Sequence, residues 1–158
     1  MSGDKPETPP TVRLQAHAAI RGLGDRPSIL PLQRAIERLE EGLERYRTDT
    51  SDTQIRDGLV QRFEFTYELG HKILKRYLEY ASANPEQFDE MKFQDLIRTA
   101  NEQGLLLGDW TNWRGFREMR ARTSHTYNED VAVEVVEGIP RFVEEVVYLR
   151  DQLRRRLA

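Results

Sequence analysis

The sequence predicts an all-α protein, an up-down-up-down four-helix bundle with one extra short helix over residues 30–158, behind a flexible N-terminal tail of residues 1–29. Three observations predict it. Apolar residues recur at intervals of three and four along most of the chain after residue 30, the period of a half-buried helix. Strand signals are poor, because β-branched runs are few and Glu, Arg and Leu dominate. The breaks between periodic stretches are short and polar, which favours antiparallel neighbours.

Each element follows from its own residues. The first 29 residues carry Pro6, Pro9, Pro10 and Pro27 and no long apolar period, so only one helical turn is expected there, about Leu14 to Ile20. His17 lies in this tail and receives no role. Pro31, a favoured first helical residue, opens a stripe of Leu32, Ala35, Ile36, Leu39, Leu43 and Tyr46. TDTSD supplies a turn and a cap before a second helix from about Asp52 to Ala83. Its stripe is Ile55, Leu59, Phe63, Thr66, Tyr67, Gly70, Leu74, Tyr77 and Ala81. Gly70 on that stripe predicts a close backbone approach, and SANPEQ ends the helix ahead of its proline. A shorter helix covers about Met91 to Gln103. Asp109 is placed to cap the next one, which carries Trp110, Trp113, Phe116, Met119 and Arg120 and should fray around Ser124 to Asn128. The last helix runs from Glu129 or Asp130 to Arg156, with a kink or restart expected at Pro140.

The totals narrow the function. With 158 residues the chain makes one domain plus a tail. A formal net charge of -3 and a pI near 5.7 argue against a general nucleic-acid coat protein, but leave room for a local basic pocket. Cysteine is absent, which removes disulfides, thiolate metal sites and a Cys nucleophile. The three histidines, at 17, 71 and 125, are far apart in the sequence, so no metal site and no cofactor are expected. No apolar run approaches the roughly 18 residues that would span a bilayer, and the reading is a soluble, cytoplasmic protein.

The segment REMRARTSHTYNED, residues 117–130, concentrates the chemistry. Arg114, Arg117, Arg120 and Arg122 crowd ahead of His125, and Tyr127 follows it. Arginine offers a planar fork of donors matched to phosphate oxygens. Histidine takes and returns a proton near neutrality. Together they are sufficient, without a metal, for attack of a ribose 2′-hydroxyl on its own phosphodiester. Spacing alone leaves a second reading open, a surface histidine at a helix boundary. Five residues of continuous helix would also set Arg120 and His125 about 140° apart around the axis. They converge only if the helix ends between them or a second subunit helps, and the helix is expected to end.

The stretch from Trp113 to Tyr127, W-x6-R-x2-T-S-H-T-Y, resembles the nucleotidyltransferase substrate-binding family of the HEPN superfamily (higher eukaryotes and prokaryotes nucleotide-binding). The likeness extends to QRFEFTYELGHKILKRYL, residues 61–78, and to the apolar last helix, about residues 30–156 in all. The resemblance implies a four-helix bundle that pairs as a homodimer, with a minimal nucleotidyltransferase encoded nearby. It implies a toxin–antitoxin pair in which the HEPN chain is a metal-independent ribonuclease acting on RNA. Carried over by position, Arg120 grips the phosphate, His125 is the acid/base, and Tyr127 accepts AMP from the partner. Members often have a polar residue directly after the arginine, where this chain has Ala121. That departure keeps an alternative in view, a non-catalytic subunit that binds substrate or nucleotide for the transferase.

The remaining residues are read more simply. Glu64 and Glu68, one turn apart, are taken as a solvated flank or as ion-pair partners for arginines of a facing helix. His71 is taken as surface, Trp113 and Phe116 as core, and the arginines of RDQLRRRLA as cations suited to a helix C-terminus.

Overall fold

A computed structural model of the chain describes residues 26–158. Leu14 to Ile20 and His17 lie outside the described residues. Five α-helices follow in order: α1 (Leu30–Thr48), α2 (Thr53–Ala81), α3 (Phe93–Glu102), α4 (Trp110–Arg122) and α5 (Glu129–Arg156). Short 3-10 turns lie at Pro85–Phe88, between α2 and α3, and at Thr123–His125, between α4 and α5. No strand occurs among the described residues. None of their helices is long and apolar enough to cross a membrane.

Helices α1, α2 and α5 pack on one another through the stripes the sequence predicts. Ile36, Leu39, Phe63, Leu74, Ile139, Phe142, Val146, Leu149 and Leu153 are all fully removed from solvent. Each such side chain contributes about 1.5–3 kcal/mol of transfer free energy, so this seam fixes the frame on which the shorter α3 and α4 sit. Asp52 caps α2, its carboxylate accepting from the amides of Gln54 and Ile55 at 3.0 Å each.

Several boundaries differ from the sequence reading, each for a local reason. α1 begins one residue before Pro31, which sits in its first turn. α2 stops at Ala81, two residues early, and Ala81 is exposed rather than on the stripe. Gly70 is buried as predicted, but a Cβ there would meet only Val146 Cγ1 at 4.0 Å, an ordinary contact, so no backbone approaches closely. α5 runs through Pro140 without a restart. A proline removes one helical hydrogen bond, and the buried Val136, Ile139 and Phe142 around it hold both halves to the same core.

Candidate functional site

The site is carried by α4 and the turn after it, and it starts from a firmly held N-terminal end. Asp109 accepts from the amides of Thr111 at 3.0 Å and Asn112 at 3.4 Å, capping α4. Just before it, Leu107 and Gly108 donate their amides to the two carboxylate oxygens of Glu145 on α5, each at 2.7 Å. The Asn101 side chain donates to the Gly108 carbonyl at 2.9 Å. Gly108 has no room for a side chain, since a Cβ there would fall 2.3 Å from the Asn112 amide nitrogen. Glu145 is 2 % exposed. Burial pushes its carboxyl above the ordinary glutamate value, and the two amides only partly offset this.

Trp113 and Phe116 then fix the axis of α4 in the core, as their stripe positions predict. Trp113 packs edge-on to Phe116 with centroids 5.5 Å apart and lies 6.4 Å from Tyr67 of α2. Tyr67 also contacts Phe63, Phe93 and Phe142, at 6.2, 6.3 and 6.2 Å. Burial pushes the Tyr67 phenol up to about 12, against the opposing pull of Arg117 and Arg120. Arg117 lays its guanidinium over the Phe93 ring, 6.0 Å from the centroid. His71 was expected at the surface. It is instead half-buried, edge-on to Phe93 at 4.6 Å, and burial together with Lys75 lowers its pKa.

Arg120 sits one turn after Arg117 and is only partly exposed. Its Nη2 forms an ion pair with Glu68 Oε1 of α2, which realises the facing-helix pairing read from the sequence. Its Nη1 donates to Thr123 Oγ1 at 3.1 Å, and that hydroxyl donates to the Arg120 carbonyl at 2.7 Å. The Glu68 bond raises the Arg120 pKa further, so the group is a fixed cation. Arg122 pairs with Glu134 of α5.

The helix does end between Arg120 and His125, as required. α4 stops at Arg122 and tightens into the Thr123–His125 turn, where the Ser124 hydroxyl donates to the Ala121 carbonyl at 3.1 Å. Asn128 closes the turn and caps α5. Its amide donates to the His125 carbonyl at 3.1 Å, and its side chain accepts from Asp130 and Val131 at 2.9 and 3.4 Å. His125 and Tyr127 are both exposed, with ring centroids 6.0 Å apart, and Tyr127 is 84 % accessible. The turn therefore brings His125 and Tyr127 together. Among the described residues no hydrogen bond joins Arg120 to His125; Arg120 is engaged by Glu68 and Thr123 instead. No group of three or more His, Asp and Glu side chains suited to a metal occurs among the described residues.

The sequence reading did not single out Tyr67 and Arg117 as neighbours of Arg120. A signal existed in FEFTYEL, where a tyrosine holds a buried stripe position between two glutamates.

Comparison with known proteins agrees with this geometry. Residues 28–155 match the family model described as nucleotidyltransferase substrate binding protein like. A curated protein of Haemophilus influenzae, named probable ribonuclease HepT, is 40 % identical over 99 residues, which is 63 % of this chain and 67 % of that protein. A solved Haemophilus influenzae structure is described as the fold of a substrate binding domain of a nucleotidyltransferase. It superposes with a TM-score of 0.75 at 33 % identity, covering 80 % of this chain and 99 % of that one. A bundle built on α1, α2 and α5, with the R-x4-H-x-Y motif at the end of α4, thus belongs to the nucleotidyltransferase substrate-binding protein-like family.

Proposed function

We propose that the chain is the ribonuclease toxin of a toxin–antitoxin pair, acts as a homodimer, and is silenced when a minimal nucleotidyltransferase transfers AMP to Tyr127. The observation that carries this reading is the turn at Thr123–His125, which presents His125 and Tyr127 together on the surface just past the fixed cation Arg120. The name of the Haemophilus influenzae relative supports the ribonuclease part.

In the reaction, Arg120 holds a phosphodiester and offsets the charge that gathers on its oxygens. His125 takes the proton of the ribose 2′-hydroxyl, and O2′ attacks the adjacent phosphorus. The P–O5′ bond breaks, leaving a 2′,3′-cyclic phosphate, and the proton returns to the departing 5′ oxygen. Silencing uses ATP as co-reactant. The Tyr127 hydroxyl oxygen attacks the α-phosphorus, pyrophosphate leaves, and the phenolic proton is released. The new anion lies two residues from His125 and competes for Arg120.

A second reading has its own observation. Ala121 is exposed and places no polar group beside Arg120, as in a non-catalytic subunit that binds substrate for the transferase. One experiment separates the two. Protein made without its partner, and shown free of AMP by intact mass, is incubated with total RNA in chelator beside its His125→Ala variant. Cleavage by the native chain and none by the variant is the expected result. No cleavage by folded, unmodified protein would select the binding subunit.

A further inference from the structure

We propose that Tyr67 and Arg117, together with Arg120, form a binding subsite for a phosphoryl group on the face between α2 and α4. The inference rests on the reading above that the Arg120 region handles phosphate, and it assigns that region a pair of groups on the N-terminal side of Arg120.

Placement is the first argument. Arg117 and Arg120 are three residues apart on α4 and share one face. Arg120 reaches Glu68, the immediate neighbour of Tyr67 on α2. Arg117 and Tyr67 lie over the same Phe93 ring, at 6.0 and 6.3 Å from its centroid. The field of both guanidiniums falls on the Tyr67 phenol.

The second argument is chemical. The Tyr67 ring is enclosed by Phe63, Phe93, Trp113 and Phe142, and the residue is 7 % exposed. A phenylalanine would fill that space equally well, so packing alone does not account for the hydroxyl. The hydroxyl pairs with no described residue and keeps contact with solvent at the rim of this cluster. Arg117 likewise has its contact with Phe93 and no ion pair among the described residues. The face carries two cations and a neutral donor beside two carboxylates, Glu68 paired with Arg120 and Glu64, whose charge also acts on Arg120. A phosphoryl group offers acceptors to Arg117 and the Tyr67 hydroxyl, which no described carboxylate engages. The phenol stays protonated at physiological pH and offers a donor without adding charge.

Two sources present this chemistry, the backbone of an RNA strand and the AMP carried on Tyr127. The test titrates unmodified full-length protein with a 2′-O-methyl oligonucleotide, which cannot be cleaved, across a salt series, and separately with inorganic phosphate and AMP. Tyr67→Phe and Arg117→Gln are compared with the native chain. If RNA is the source, Tyr67→Phe weakens oligonucleotide binding about three- to tenfold with an unchanged salt slope, since it removes one neutral hydrogen bond. Arg117→Gln weakens it and lowers the slope by about one. If the oligonucleotide does not bind but both substitutions weaken AMP and phosphate, the RNA reading fails while the subsite stands, with AMP as its source. Native binding by both variants overturns the subsite and leaves the RNA reading untouched. A native chain that takes none of the three probes overturns it as well. Arg117 is exposed, so its variant carries the test should Tyr67→Phe fail to fold.

Discussion

At the N-terminal end of α4 the carboxylates are bound to backbone amides. Asp109 caps the helix, and Glu145, 2 % exposed, holds the amides of Leu107 and Gly108 with both its oxygens. At the C-terminal end the same helix leaves the core. Past Thr123, which is 6 % exposed, come His125 in the open and Tyr127 at 84 % exposure. A carboxylate stands at each end, but Glu145 binds backbone and Glu68 binds a side chain that substrate is proposed to contact. The difference separates two demands on one short helix. Fixing its position needs satisfied buried groups, whereas acting on another molecule needs groups left free to be approached.

Substitutions at the two ends should sort accordingly. Glu145→Gln is expected to cost the most, about 1–3 kcal/mol at neutral pH, because one buried amide loses its acceptor; urea unfolding measures it. Its pH dependence has a definite sign. A carboxyl raised in the fold binds more protons folded than unfolded, so its contribution is complete below the ordinary glutamate value and is lost as pH rises through the raised one. The stability gap between native chain and variant should therefore shrink with rising pH across that window, and a gap that widens would remove the buried-carboxylate account. Asp109→Ala comes next, at about 1 kcal/mol for a lost N-cap. Tyr127→Ala is expected to stay within about 0.5 kcal/mol of the native chain. A Tyr127 effect as large as that of Asp109 would erase the contrast between the two ends.

Much of this was legible in the sequence, and the exceptions share a cause. The stripes of α1, α2 and α5, the Asp109 cap and the end of α4 ahead of His125 all follow from local periodicity and capping chemistry. The family matched over residues 28–155 was also readable from R-x4-H-x-Y and FEFTYEL. Glu145 was not. It falls on the buried face of α5, three residues after Phe142, and only the incoming loop at Leu107 and Gly108 explains a carboxylate there. His71 and the Tyr67–Arg117 neighbourhood depend in the same way on where Phe93 and α4 dock. Periodicity reports which face of a helix is buried, and not which distant backbone or side chain meets a polar group on it.

The Glu145 clasp has a topological consequence. Its bonds join residues 38 and 37 positions apart, so all of α4, the Thr123–His125 turn and the first half of α5 lie inside one closed loop. Opening that clasp unties the two ends of this loop, while Trp113, Phe116, Ile139 and Phe142 still hold it to the core. Amide exchange at Leu107 and Gly108 should then report the clasp itself, and Glu145→Gln should speed exchange there before it does so in the core of α1, α2 and α5.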